Sequence, residues 1–217
     1  MQKDIFQIAL AGLTSDPGLI RGWEADLNSK LGKLPDRFGE IIELASKLSA
    51  GASGSPGDIE KLESIFDHVS LSDGQPPSND LHYYAPSTLS LQQNVIFPDK
   101  QQDDGAEKPD FTRLLGEIKQ ALPQNFEEKE GFLEEVLSVL HRTASNIPSA
   151  VLPDVSLYDH QRMTSALAVC FLEKKAEDVK NYLAAVEDSA KSNDLNSAQD
   201  EPIALLSKSS NEIRQTW

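Results

Sequence analysis

The stretch that most constrains this chain is residues 151–168, which read VLPDVSLYDHQRMTSALA. A proline-bounded extended segment runs into Ser156, whose hydroxyl can accept a bond from a free amide of a first helical turn. Asp159 follows three residues later, where a carboxylate also favours the positive end of a helix. Met163, Leu167, Cys170 and Phe171 then share one helical face and predict its apolar stripe. Thr164, Ser165, Ala166 and Ala168 are small, so a second backbone can approach closely. On physics alone this is a capped, well-packed helix start.

The rest of the chain repeats the helical period. In residues 2–13, Ile5, Ile8, Ala9 and Leu13 share a face, and Thr14-Ser15-Asp16-Pro17-Gly18 stops the pattern. Residues 21–34 read as a loop with a short helix. Residues 36–50 carry a stripe of Phe38, Ile41, Ile42, Ala45 and Leu48. Residues 58–69 read as a short helix burying Ile59, Leu62, Ile65 and Phe66, with His68 at its end. Residues 111–122 repeat Phe111, Leu114, Leu115, Ile118 and Leu122 before Pro123. The next helix starts among Glu127, Glu128, Glu130, Glu134 and Glu135, a solvated acidic face suited to an N-terminal turn. It buries Phe132, Leu133, Val136, Leu137 and Leu140, and Pro148 closes it. The last helix is expected from Ser156 to about Val186.

Between these helices lie a mobile Gly/Ser hinge at 51–57, a loop at 72–80 and a charged linker at 99–109. Residues 81–86 and 94–98 are short β-prone pieces, either paired as an irregular hairpin or separate. Residues 189–202 are expected to be disordered, and Ile203 to Leu206 with Ile213 to form a short docking helix. The expected fold is mainly α, with a small extended or β insertion and a disordered acidic tail. Its parts are residues 1–80, 81–105, 106–188 and 189–217.

Composition narrows the function. The formal net charge of the 217 residues is −15, and no Lys/Arg cluster is present to neutralise phosphates. The chain alone is therefore not expected to bind nucleic acid, and a basic partner would have to supply such contacts. His82-Tyr83-Tyr84 reads either as a base-stacking platform or as packing against the helices. A single cysteine, Cys170, excludes an internal disulfide and a multi-thiolate zinc site within one chain. No apolar run reaches membrane-spanning length and no signal-peptide pattern opens the sequence, so a cytoplasmic protein is expected.

Several motifs carry a family resemblance. Pro153-Asp154-Val155-Ser156-Leu157-Tyr158-Asp159-His160, followed by Thr164-Ser165-Ala166-Leu167-Ala168, resembles a pattern close to PDVSLYDHxxxTxAxA. That pattern belongs to the large HD-plus-palm signature subunit of type III CRISPR–Cas effector complexes, in its III-A form. Ile8 to Leu13 is similar to the family's first helix, which a His-Asp pair and Ile-Gly-Lys follow. Here Ser15 stands at the histidine position, Asp16 is kept, and Pro17 and Gly18 come next. A hydroxyl is a far poorer transition-metal ligand than an imidazole. Ile41 to Gly51 is similar to IxxADxLSAGER, with Ser46 at the aspartate and Ala52 and Ser53 at the glutamate and arginine. The family places a His-His pair between these two elements, where this chain has a shorter gap and no histidine before His68. Tyr84, Pro86, Leu89-Ser90-Leu91 and Ile96-Phe97-Pro98 match a further pattern just after the HD region. The family's Gly-Gly-Asp-Asp palm motif, which makes cyclic oligoadenylates from ATP, does not occur. The resemblance spans roughly residues 2–171, with deletions.

The resemblance implies a helical, HD-like remnant with two possible functions. In the first, the chain is a non-catalytic docking piece in RNA-guided antiviral defence, without cofactor. Its partners are other type III effector subunits, above all a palm-bearing chain. Pro153, Asp154, Ser156, Leu157, Tyr158, Asp159, His160 and Thr164 then serve structure, and no metal ligands are assigned. In the second, it is an HD-type metal-dependent single-stranded DNA nuclease using manganese or nickel, with Asp16, Asp159 and His160 as surviving candidates. A third reading sets the motifs aside and leaves an acidic helical adaptor.

Overall fold

No charged residue occurs between Asp4 and Asp16, and a helix that is apolar on all sides belongs in an interior. Helix α1 (Gln2–Leu13) accordingly lies at the centre, with every residue from Ile8 to Thr14 buried. The computed structural model describes residues 2–15, 35–49, 61–68, 81–100, 110–123, 131–149 and 152–172, with single positions 174, 178, 181 and 184. The expected hinge, the acidic tail and Asp16 lie outside the described residues.

The elements that follow are α2 (Asp36–Ser49), β1 (Leu62–Glu63), a 3-10 turn (Ile65–His68), β2 (His82–Tyr84), α3 (Gln93–Ile96) and β3 (Asp99–Lys100). Helices α4 (Phe111–Ala121), α5 (Phe132–Ala144) and α6 (Leu157–Phe171) complete them. The fold is mainly helical, with a small antiparallel sheet in the order β1-β2-β3. Two cores meet on α1. Leu10 and Leu13 pack with Leu114, Ile118, Phe132, Val136, Leu140 and Leu157. Ile8 packs with Phe38, Ile41, Leu44, Ala45, Ala168 and Phe171. The first core also holds a tilted ring pair, Phe6 and Phe132, with centroids 5.8 Å apart.

Local chemistry sets several boundaries. Asp110 caps α4, its carboxylate accepting from Arg113 N–H at 3.0 Å. Gly131 precedes α5 at φ +80°, a conformation that costs glycine little. Glu127, Glu128 and Glu130 lie outside the described residues, while Glu134 and Glu135 occupy the first turn of α5.

Three expectations are corrected. Described residues within 58–69 form no α-helix: Leu62 is buried in β1, whereas Ile65 and Phe66 are 58% and 74% exposed. Here long-range pairing outweighs the local period. Leu62 pairs with Tyr84 and Glu63 with Tyr83, and Glu63 N–H bonds the Pro153 carbonyl at 2.8 Å. Asn94-Val95-Ile96 form one helical turn rather than a strand. The second partner of β2 is instead Asp99–Lys100, at the start of the expected linker. Asn146 donates to the Val95 carbonyl at 3.1 Å, which fixes that turn against the end of α5. Finally, α6 does not run on unbroken toward Val186. It ends at Phe171, where Leu172 N–H bonds the Val169 carbonyl in a tighter, three-residue step.

Candidate functional site

The candidate residues that the structure describes lie at the start of α6, and Asp16 lies outside the described residues. The preceding loop folds back on itself: Ser149 N–H bonds the Val155 carbonyl at 2.9 Å and Leu157 N–H bonds the Ile147 carbonyl at 2.7 Å. A bridge between Pro148 and Ser156 closes it. Ser156 is thereby delivered to the N-cap, where its Oγ accepts from Asp159 N–H at 3.0 Å and donates to Asp159 Oδ2 at 2.7 Å. Asp159 is exposed and Asp154 half-buried. Tyr158 meets His141 edge-on, with ring centroids 5.0 Å apart.

The buried face of α6 corrects the expected stripe. Leu157, His160, Gln161, Thr164, Ser165, Ala168 and Phe171 face inward. Met163 is 53% exposed, while Leu167 and Cys170 are only half-buried. The small residues prevail because α1 crosses them too closely for larger ones. A Cβ built on Gly12 would lie 2.7 Å from Ser165 Cα, and Ser165 Oγ donates to the Ala9 carbonyl at 2.8 Å. Of the four small residues named from sequence, Ser165 lines the crossing, Ala168 is buried with Ile8 and Phe38, Thr164 faces Ser49 of α2, and Ala166 is exposed.

His160, 2% exposed, lies in the seam between α2 and α6. Its Nδ1 is 3.0 Å from Ser49 Oγ and its Nε2 is 3.3 Å from Ser46 Oγ. Ser49 Oγ also lies 2.8 Å from Thr164 Oγ1 and donates to the Ser46 carbonyl at 2.9 Å. One hydroxyl has a single proton and two lone pairs. Once Ser49 donates to the carbonyl, it accepts from Thr164 and from His160 Nδ1–H. In a neutral ring protonated at Nδ1, His160 Nε2 accepts from the Ser46 hydroxyl. Gln161 Oε1 is buried with no hydrogen-bond partner among the described residues.

The two described candidate ligands do not fit an ion at this place. The Asp159 carboxylate is turned to the cap, and the imidazole of His160 shares both nitrogens with hydroxyls. Among the described residues, no three His, Cys, Asp or Glu side chains are grouped so as to hold a metal.

Sequence reasoning missed a second polar pair. Asp67 accepts from His82 N–H at 2.6 Å through Oδ2, and its Oδ1 lies 2.9 Å from His82 Nδ1. The pair ties the 3-10 turn to β2. No spacing rule links residues fifteen positions apart in the chain, so the sequence held no signal for it. Beside it, burial first and then the Glu63 and Asp67 carboxylates push the Tyr83 phenol above its ordinary range. Burial likewise pushes the Cys170 thiol up, and a thiol that holds its proton is a weak nucleophile.

Two curated relatives match the chain, both named CRISPR system single-strand-specific deoxyribonuclease Cas10/Csm1 (subtype III-A). The protein from Methanocaldococcus jannaschii is 29% identical over 183 residues, covering 70% of this chain and 22% of the relative. The protein from Mycobacterium tuberculosis is 29% identical over 91 residues, covering 40% of this chain and 11% of the relative. The chain is thus similar to the III-A large subunit, as its motifs imply, but spans about a fifth of the longer match. No family model matches it, and no solved structure matches it. Among the described residues, no helix is long and apolar enough to cross a membrane.

Proposed function

We propose that this chain is a non-catalytic docking piece of the type III-A CRISPR–Cas machinery, acting through contacts with other effector subunits and above all a palm-bearing chain. The observation that carries this reading is His160, buried and hydrogen-bonded to the hydroxyls of Ser46 and Ser49. An ion-holding imidazole needs a free lone pair and further ligands converging on the same ion. The Ser46 hydroxyl engages that lone pair here, at the position where the resembling pattern has aspartate. The motif residues thus serve as helix cap, helix crossing and seam. The test is co-purification of the full chain with the subunits of a type III-A effector complex. Recovery of the palm-bearing subunit is expected, and recovery of none of the subunits overturns the reading.

A nuclease is the alternative, favoured by the name that both relatives carry. It predicts cleavage of single-stranded DNA by the purified chain with manganese or nickel, abolished by Asp159→Ala. The docking reading expects no cleavage.

A further inference from the structure

A soluble domain scatters single apolar side chains over its surface, and such residues need no explanation. This chain gathers them. Among the described residues, five of the six exposed large apolar side chains belong to the sheet insertion: Ile65, Phe66, Leu91, Ile96 and Phe97. Leu91 is 96% exposed and Phe66 is 74% exposed. Ile65 and Phe66 sit in the turn directly after β1, and Phe97 leads into β3. Both strands pair with β2, which sets β1 and β3 about 10 Å apart by ordinary strand spacing. The five side chains therefore ride on one small module.

Two observations say what covers them. Leu91, Ile96 and Phe97 belong to the pattern shared with the III-A large subunit, yet none of them enters this chain's own cores. In the longer match, moreover, the matched region is joined to a polypeptide more than three times its length, since the match covers 22% of that relative. Resting on the docking reading above, we infer that the sheet insertion is the surface that meets the large-subunit polypeptide outside the matched region. With a net charge of −15 on this chain, the complementary surface is apolar at its centre and basic at its rim.

The experiment is calorimetric titration of the full chain against a purified palm-bearing III-A subunit. The variants are Phe66→Asp with Phe97→Asp, Leu91→Asp alone, and Met163→Asp on α6. These positions are exposed, so each variant is expected to keep the parent circular dichroism and melting profile. The double variant is expected to bind at least tenfold more weakly, Leu91→Asp to weaken binding in the same direction, and Met163→Asp to bind as the parent. Parent-like binding by the folded double variant and by Leu91→Asp overturns the assignment of this surface while leaving the docking reading intact. Failure of the unsubstituted chain to bind overturns the docking reading and this inference with it.

Discussion

Helix α1 separates two seams built on opposite principles. Toward α4 and α5 the contacts are large and apolar: Leu114, Ile118, Phe132, Val136 and Leu140 fill the space. Toward α6 the contacts are small and hydroxylated: Gly12 against Ser165, with Ser46, Ser49, Thr164 and His160 nearby between α2 and α6. The first seam gains stability from buried area and tolerates shape changes at a cost in cavity volume. The second allows close backbone approach and sets hydroxyl hydrogen bonds beside the apolar contacts of Ile8, Phe38, Ala168 and Phe171. One chain therefore holds an ordinary core beside a seam whose chemistry is spent on hydrogen bonds.

Substitutions break this comparison in order of size. Phe132→Ala, at the centre of the apolar seam, is expected to cost about 3–5 kcal/mol, measured by urea unfolding. Ser49→Ala removes the bonds that its hydroxyl makes with His160 Nδ1 and Thr164 Oγ1 and is expected to cost about 1–3 kcal/mol. Adding Thr164→Val should then cost less than it does alone, because their shared bond is already gone. A fully additive cycle would show that the hydroxyl seam is not a network. Ser156→Ala removes the cap and is expected to cost about 1 kcal/mol, with a lower melting temperature.

The smallest effect is one of pH. The raised Tyr83 pKa means the folded chain holds that proton after the unfolded chain has released it. Its contribution is therefore whole below the ordinary tyrosine range and lost as pH rises through the raised value. Phenol absorbance should show one late-titrating group in the folded chain, and Tyr83→Phe should remove it.

The helices were legible because large apolar residues recur at a fixed period, and α1, α2, α4 and the Ser156 cap lie where that period puts them. Of the sheet, β2 lies within the β-prone stretch 81–86, but β1 and β3 were not legible, since strands of two residues are too short to show alternation. Their pairing is decided by distant partners such as Pro153 and Lys100. The buried face of α6 was legible only in part. Phe171 is buried as its hydrophobicity predicts, and Ser165 and Ala168 are buried where close approach needs small residues, whereas Met163 is exposed and Leu167 and Cys170 are half-buried. The convergence of His160 with Ser46 and Ser49, more than a hundred positions apart in the chain, was beyond any local pattern.

The amide of Glu63 and the carbonyl of Pro153 form a strut between the sheet and the loop that delivers Ser156. A force applied to the insertion has a short route, one hydrogen bond and three residues of chain, to the first turn of α6. A partner bound to that sheet would therefore bear on the Ser156 cap of α6.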